Sequence, residues 1–233
     1  MASDTVRYDL RDQIAVITLD DGKANALSHP VMDALQQCLE RAEREAAAVL
    51  LVGRERRLSG GFDLTVMSTG PDAIRKLVSA GAELMLRLYT FPRPVVVACT
   101  GHALAAGAIL LLVADRRLGT AGDFKIGLNE VAIQMTVPVF AMELARARLS
   151  KRHFTAATTQ ARIYDPQTAI DAGYLDATAP AGELFETALE QARRLATLPH
   201  PAFRNTKQRE RGATVQYIRD TLAADLAALT GLS

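Results

Sequence analysis

Cysteine is scarce in this chain of 233 residues, which holds two, Cys38 and Cys99. Two thiols cannot build a disulfide framework or a cysteine zinc site, so a reducing compartment, the cytoplasm, is expected. Histidine is nearly as rare. His29, His102, His153 and His200 show no metal-ligand spacing such as H-E-x-x-H, and no metal is expected. An excess of one charge is also missing: 27 Lys and Arg face 26 Asp and Glu, a net charge of +1. That argues against an electrostatic nucleic-acid partner and leaves only local basic patches. Long apolar runs are absent too. The longest, 103–114, is too short for a membrane span, and the opening MASDTVRYDLRDQ has no apolar signal core. Neither an internal repeat nor a low-complexity linker is visible.

What is present is a globular balance, 49% hydrophobic and 23% charged. The length suits one large α/β domain with an appendage, enough to bury a core. Residues 14–19 are short, apolar and β-branched and predict a buried strand. A turn follows at 20–23. Ser28 can cap a helix with Pro30 in its first turn, running to about Glu45 with Val31, Leu35, Leu39 and Ala42 on one face. Residues 49–53 predict a second buried strand, and this β–α–β order favours a parallel, right-handed crossover. The pattern recurs with a glycine turn at 59–64, a helix over 71–89 and a strand over 94–99. Thr100-Gly101-His102 is read as a turn into a helix over 105–114, and 117–120 and 124–126 as short strands. Past Pro138 the chain reads as wholly helical, with helices near 138–149, 151–160, 165–172, 180–197, 201–211 and 213–229. The predicted division is a β/α core over 1–149 and a helical region over 150–233.

Two strand–glycine turn–helix junctions stand out, Leu58 to Leu64 and Gly101 to Ala108. Small residues let a ligand approach the backbone, and a helix start leaves N–H groups free. Two such amides aimed at one point can hold an oxyanion, but glycine turns before helices are also common structural devices. Neither turn matches G-x-G-x-x-G or the Walker pattern. A third segment, 125–133, holds Glu130 within an apolar run. Burial would raise its pKa toward that of a useful general base, while capping or an ion pair is the plain alternative. Ser59 lacks a G-x-S-x-G elbow and is read as structural. His102 is read as a local hydrogen-bonding residue and Cys99 as core. Arg54, Arg56 and Arg57, like Lys207, Arg209 and Arg211, are read as solvated surface, with a weaker reading as contacts for phosphates.

Taken together and in this order, the three segments resemble the crotonase family, also called enoyl-CoA hydratase/isomerase. Lys23-Ala24-Asn25-Ala26-Leu27 is similar to its acyl-CoA-binding turn, Leu58–Leu64 to its F-[CS]-[AS]-G-x-D-[LI] signature, and Gly101–Gly107 to G-x-A-x-G-G-G. The resemblance implies a crotonase-like α/β spiral of β/α repeats with a C-terminal all-helical region. It also implies an acyl-CoA thioester ligand, no separate cofactor, and a homotrimer or a hexamer built as a dimer of trimers. It places the amides of Phe62 and Ala106 at the oxyanion-hole positions and Glu130 at a catalytic glutamate. Lys23, Ala24, Gly60, Gly61, Asp63, Leu64, Gly107, Ile109 and Asn129 fall on substrate- or CoA-binding positions, with Asp63 and Asp115 mostly structural. Alanines stand at 105 and 106 where the family usually has glycine. Ile109 stands where hydratases carry their other glutamate. That single-glutamate pattern looks most like the mitochondrial-type Δ3,Δ2-enoyl-CoA isomerases. The implied reaction moves a 3-enoyl-CoA double bond to 2-enoyl-CoA. Hydration by Glu130 alone, other acyl-CoA enolate chemistry such as thioester hydrolysis, and acyl-CoA binding without turnover remain alternatives.

Overall fold

The computed structural model describes residues 5–231; the first four residues of the opening read for a signal core lie outside them. The chain begins with a hairpin that sequence reading missed. β1 (Val6–Arg11) pairs antiparallel with β2 (Ile14–Leu19). Its turn residues Asp12 and Gln13 both have positive φ, which suits a tight hairpin. β1 is mostly exposed and polar, so no apolar run announces it.

α1 (His29–Glu45) follows, with Ser28 at its N-cap as expected, although the Ser28 side chain makes no capping bond. β3 (Ala48–Val52) then runs parallel to β2, and β4 (Arg56–Ser59) leaves that sheet. After α2 (Leu64–Met67) and α3 (Pro71–Tyr89), the chain repeats the move with β5 (Val95–Cys99), β6 (Gly101–Leu104) and α4 (Ala106–Leu112). It does so again with β7 (Arg116–Thr120) and β8 (Ile126–Gly127). Each turn of the chain therefore lays one strand in each of two sheets. The large sheet has the order β1-β2-β3-β5-β7-β9 and the small one β4-β6-β8. This is the spiral of β/α repeats that the resemblance implies. Where a turn was expected at Thr100-Gly101-His102, Gly101–Leu104 forms a short strand parallel to β4.

The C-terminal part holds α5 (Val139–Arg148), α6 (Lys151–Ala157), α7 (Pro166–Ala172), β9 (Ala177–Ala179), α8 (Leu184–Ala196) and α9 (His200–Gly231). One short strand thus interrupts the helices: β9 joins the large sheet beside β7. α8 presses Leu184, Ala188, Leu189 and Ala192 against one sheet face, where Val16, Leu50, Val96 and Leu118 are buried. The other face packs on α1, α3 and α4. Burial on both faces explains why β3 and β5 read as unbroken apolar runs.

α9 is one helix where two were expected, because Gly212 lies inside it. A helical glycine costs about 1 kcal/mol against alanine. The anchors on either side offset that cost, with Ile218 and Val215 buried beyond it and Lys207 and Arg211 before it. These two cations are not solvated surface. Asp115 accepts Lys207 Nζ at 2.7 Å and Arg211 Nη2 at 2.8 Å, and its Oδ2 also takes the Val95 amide. The reading failed because a basic pair on a polar helix looks alike whether it faces water or one buried carboxylate.

Candidate active site

The first glycine turn follows β4. Ser59 is buried; its hydroxyl donates to Asn25 O at 2.7 Å and accepts from Gly61 N at 3.1 Å. Asn25, at φ +50, donates through Nδ2 to Leu19 O and Leu58 O, tying the end of β2 to β4. Its own turn is held by Asp21, whose carboxylate accepts from the amides of Lys23, Asn25 and Ala26. Those amides keep the Asp21 carboxyl below its ordinary range despite partial burial. Asp63 caps α2 by accepting from Thr65 N, a structural task.

The second turn follows β6, beside the first. Ala105 has φ +50 and ψ −126, a conformation natural to glycine and strained for alanine. Its N–H is bonded to Gly127 O at 3.0 Å, which fixes the turn to the third segment. A Cβ placed on Gly61 would stand 3.0 Å from Ala105 Cβ and 3.4 Å from Ala106 N, so the two turns are in contact. Among the described residues no hydrogen bond engages the N–H of Phe62 or of Ala106. Both are free to donate.

The third segment leaves β8, where Ile126 and Tyr164 exchange backbone bonds at 2.9 Å. Glu130 then opens a 3-10 turn over Val131–Ile133, and its carbonyl accepts from the amides of Ile133 and Met135. The side chain is 6% exposed, and Oε2 is buried with no partner. Burial pushes this carboxyl up from 4.5 to about 7. Capping and ion pairing, the plain alternatives, are thus not what the side chain does here. Asn129 Oδ1 beside it is likewise buried and unpartnered.

A cavity of about 170 Å³ joins these parts. Gly60, Phe62, Leu64, Ala105, Ile109, Asn129 and Glu130 line it, so the three segments meet in space. Ile109, 1% exposed, supplies hydrocarbon to the same cavity as Glu130. Met67, Val78, Ile133, Met135, Pro138 and Phe140 complete the walls. Of these, Met67 and Met135 were not singled out. Flexible thioethers between motifs carry no periodic signal. Lys23, Ala24, Gly61, Asp63 and Gly107 lie outside the lining. Ala24 O accepts from Gly60 N, Lys23 is exposed with Arg54 Nη1 on its carbonyl, and Gly107 is a packing glycine against Ser59 O. His102 accepts from Lys125 N at 3.0 Å, the local role expected of it.

A second cavity, about 410 Å³, shares Leu64, Met67, Val78, Met135 and Pro138 with the first and adds Ile74 and Leu229. Its polar members, Ser68, Gln134 and Thr136, are exposed side chains at its solvent edge. Among the described residues no cluster of metal-ligating side chains is present, and no helix is long and apolar enough to cross a membrane.

A family model described as enoyl-CoA hydratase/isomerase matches residues 9–230. The chain is similar to a solved enoyl-CoA hydratase/isomerase family protein from Pseudomonas syringae, with 42% identity, 98% of this chain and 97% of that one covered, and a TM-score of 0.92. It is also similar to the solved human mitochondrial delta3-delta2-enoyl-CoA isomerase, with 26% identity, 97% and 91% covered, and a TM-score of 0.92. A probable enoyl-CoA hydratase of Bacillus subtilis is 33% identical over 132 residues, 55% of this chain and half the length of that relative.

Proposed function

The chain belongs to the enoyl-CoA hydratase/isomerase family, and from that premise we propose that it converts 3-enoyl-CoA to 2-enoyl-CoA. One observation carries the reading. Among the described residues the cavity lining has a single carboxylate, Glu130, and Ile109 lines the same cavity as hydrocarbon. Adding water across a double bond calls for groups that handle both the water proton and the α-carbon proton. Moving the bond needs one shuttle.

In this reading the Glu130 carboxylate removes a proton from C2. The electron pair spreads over a dienolate, and negative charge develops on the thioester oxygen. The N–H groups of Phe62 and Ala106 hold that oxygen; each such donor is worth roughly 3–4 kcal/mol of barrier. Glu130, now protonated, returns the proton at C4. One proton leaves and one arrives, so the step balances without water or an electron carrier. A pKa near 7 lets the same group accept and release the proton at neutral pH. Ile109 keeps water away from the dienolate. Lys23 and the neighbouring Arg54 are cations suited to the phosphates of CoA outside the cavity. Assembly as a homotrimer or hexamer belongs to this reading and is measured by sedimentation.

The name of the Bacillus relative favours a second reading, hydration by Glu130 alone. Product analysis after mixing purified protein with a 3-enoyl-CoA separates the two. Accumulation of 2-enoyl-CoA that disappears in Glu130→Gln is the expected result. Prompt 3-hydroxyacyl-CoA would overturn isomerisation in favour of hydration, and the absence of any turnover would leave a binding protein.

A further inference from the structure

The cavity at Glu130 is small. A dry protein cavity of about 150 Å³ holds one benzene, roughly six carbons. At about 170 Å³ it takes the reacting carbons and little more. The second cavity is more than twice as large and opens from the same residues, Met67, Val78 and Met135 among them.

α9 closes this second space. Ile218, Leu222 and Leu226 lie on one helical face and are packed in the core, and Leu229 continues that face into the cavity wall. Beside this packing, a hydrogen bond ties this end of the helix to the start of α5. Asp225 Oδ2 accepts the Val139 N–H at 2.8 Å. Val139 is the first residue of α5, and Pro138 before it lines both cavities. Leu229 lies one helical turn beyond Asp225, so the carboxylate and the cavity wall move together.

We propose that the protein takes acyl chains longer than about six carbons, with the distal part in the second cavity, Leu229 as its end wall, and Asp225 as the residue that positions that wall. The inference rests on the acyl-CoA part of the proposed function and not on its choice between isomerisation and hydration.

Saturated acyl-CoAs test it without chemistry. Titration calorimetry of the full chain with butanoyl-, octanoyl- and dodecanoyl-CoA gives affinity against length. Each methylene that finds apolar cover is worth up to roughly fourfold. Octanoyl-CoA is expected to bind at least about tenfold tighter than butanoyl-CoA. Leu229→Trp should cut the dodecanoyl-to-butanoyl affinity ratio about tenfold. Asp225→Ala should move that ratio at least about threefold, and Asp225→Asn, which keeps an oxygen for the Val139 amide, should restore it. A flat length profile, or the same ratio in wild type, Leu229→Trp and Asp225→Ala, overturns the proposal. Should Asp225→Ala not fold, the Leu229→Trp ratio decides alone. Failure to bind any acyl-CoA overturns the proposed function with it, whereas an intact length profile with a hydrated product overturns isomerisation only.

Discussion

Glu130→Gln should abolish turnover and stabilise the protein, and the stabilisation should depend on pH. The Glu130 carboxyl is pushed by burial from 4.5 to about 7 and has an unpartnered oxygen. Between those values the folded chain holds a proton that the unfolded chain has lost. Wild-type stability therefore falls as pH rises through this window. Below about pH 4.5 both states are protonated and no cost is present. A shift of this size corresponds to about 3 kcal/mol by pH 8 and less than about 1 kcal/mol at pH 5. Glutamine has no charge to desolvate and does not carry this cost. With an unfolding entropy of about 2.1 cal/mol/K per residue, the variant should melt on the order of 6 °C above wild type at pH 8 and close to it at pH 5. Circular dichroism melts at the two pH values measure the difference. An equal offset at both, or a variant less stable at pH 8, would refute a desolvated carboxylate. The same group should appear in wild-type kinetics as a rise in kcat/KM with an inflection near 7, since the proposed function makes the carboxylate the reacting base.

Other outcomes follow from neighbouring features. Ile109→Glu puts a second carboxylate in the cavity, so the kinetic inflection of Glu130 should move up by about 1 unit or more, with hydrated product now detectable by chromatography. An unmoved inflection would mean that position 109 does not face Glu130. Ala105→Gly relieves the strained φ of +50 and should raise stability by about 1 kcal/mol in denaturant titrations; a loss would count against strain there. Asp115→Asn leaves the buried Lys207 and Arg211 without their counter-charge and should cost about 3 kcal/mol in the same assay. A cost below about 1 kcal/mol would mean that these cations reach water.

Legibility in the sequence followed burial. β2, β3 and β5 were readable because apolar residues fill both their faces. β1 is mostly exposed and polar. β4, β6 and β8 have two to four residues each, too short for a period of two to show. Their existence depends on pairing between distant turns of the chain. Within the site, the two turns and Glu130 stood out as local sequence features, while the weight given to Glu130 and Ile109 came from the resemblance to the family. The roles of Met67, Met135 and Leu229 were not, since only packing brings them to one wall. The resemblance implied a structural role for Asp115, but its partners lie more than ninety positions away.

The pairing of β4 with β6 makes the small sheet a ruler. Ser59 and Ala103 are matched across it, and each strand runs on into one of the two turns that present a free amide. Parallel strands keep a spacing of about 4.8 Å whatever their side chains. The separation of the two donors is thus gauged by main-chain bonding, apart from the side chains that line the cavity. In the proposed function, side chains around the gauge, such as Ile109, Ala106 and Asn129, can be exchanged to alter the reaction while the two amides keep their span on a thioester oxygen. One scaffold can in this way serve several reactions whose shared demand is two amides at a fixed interval.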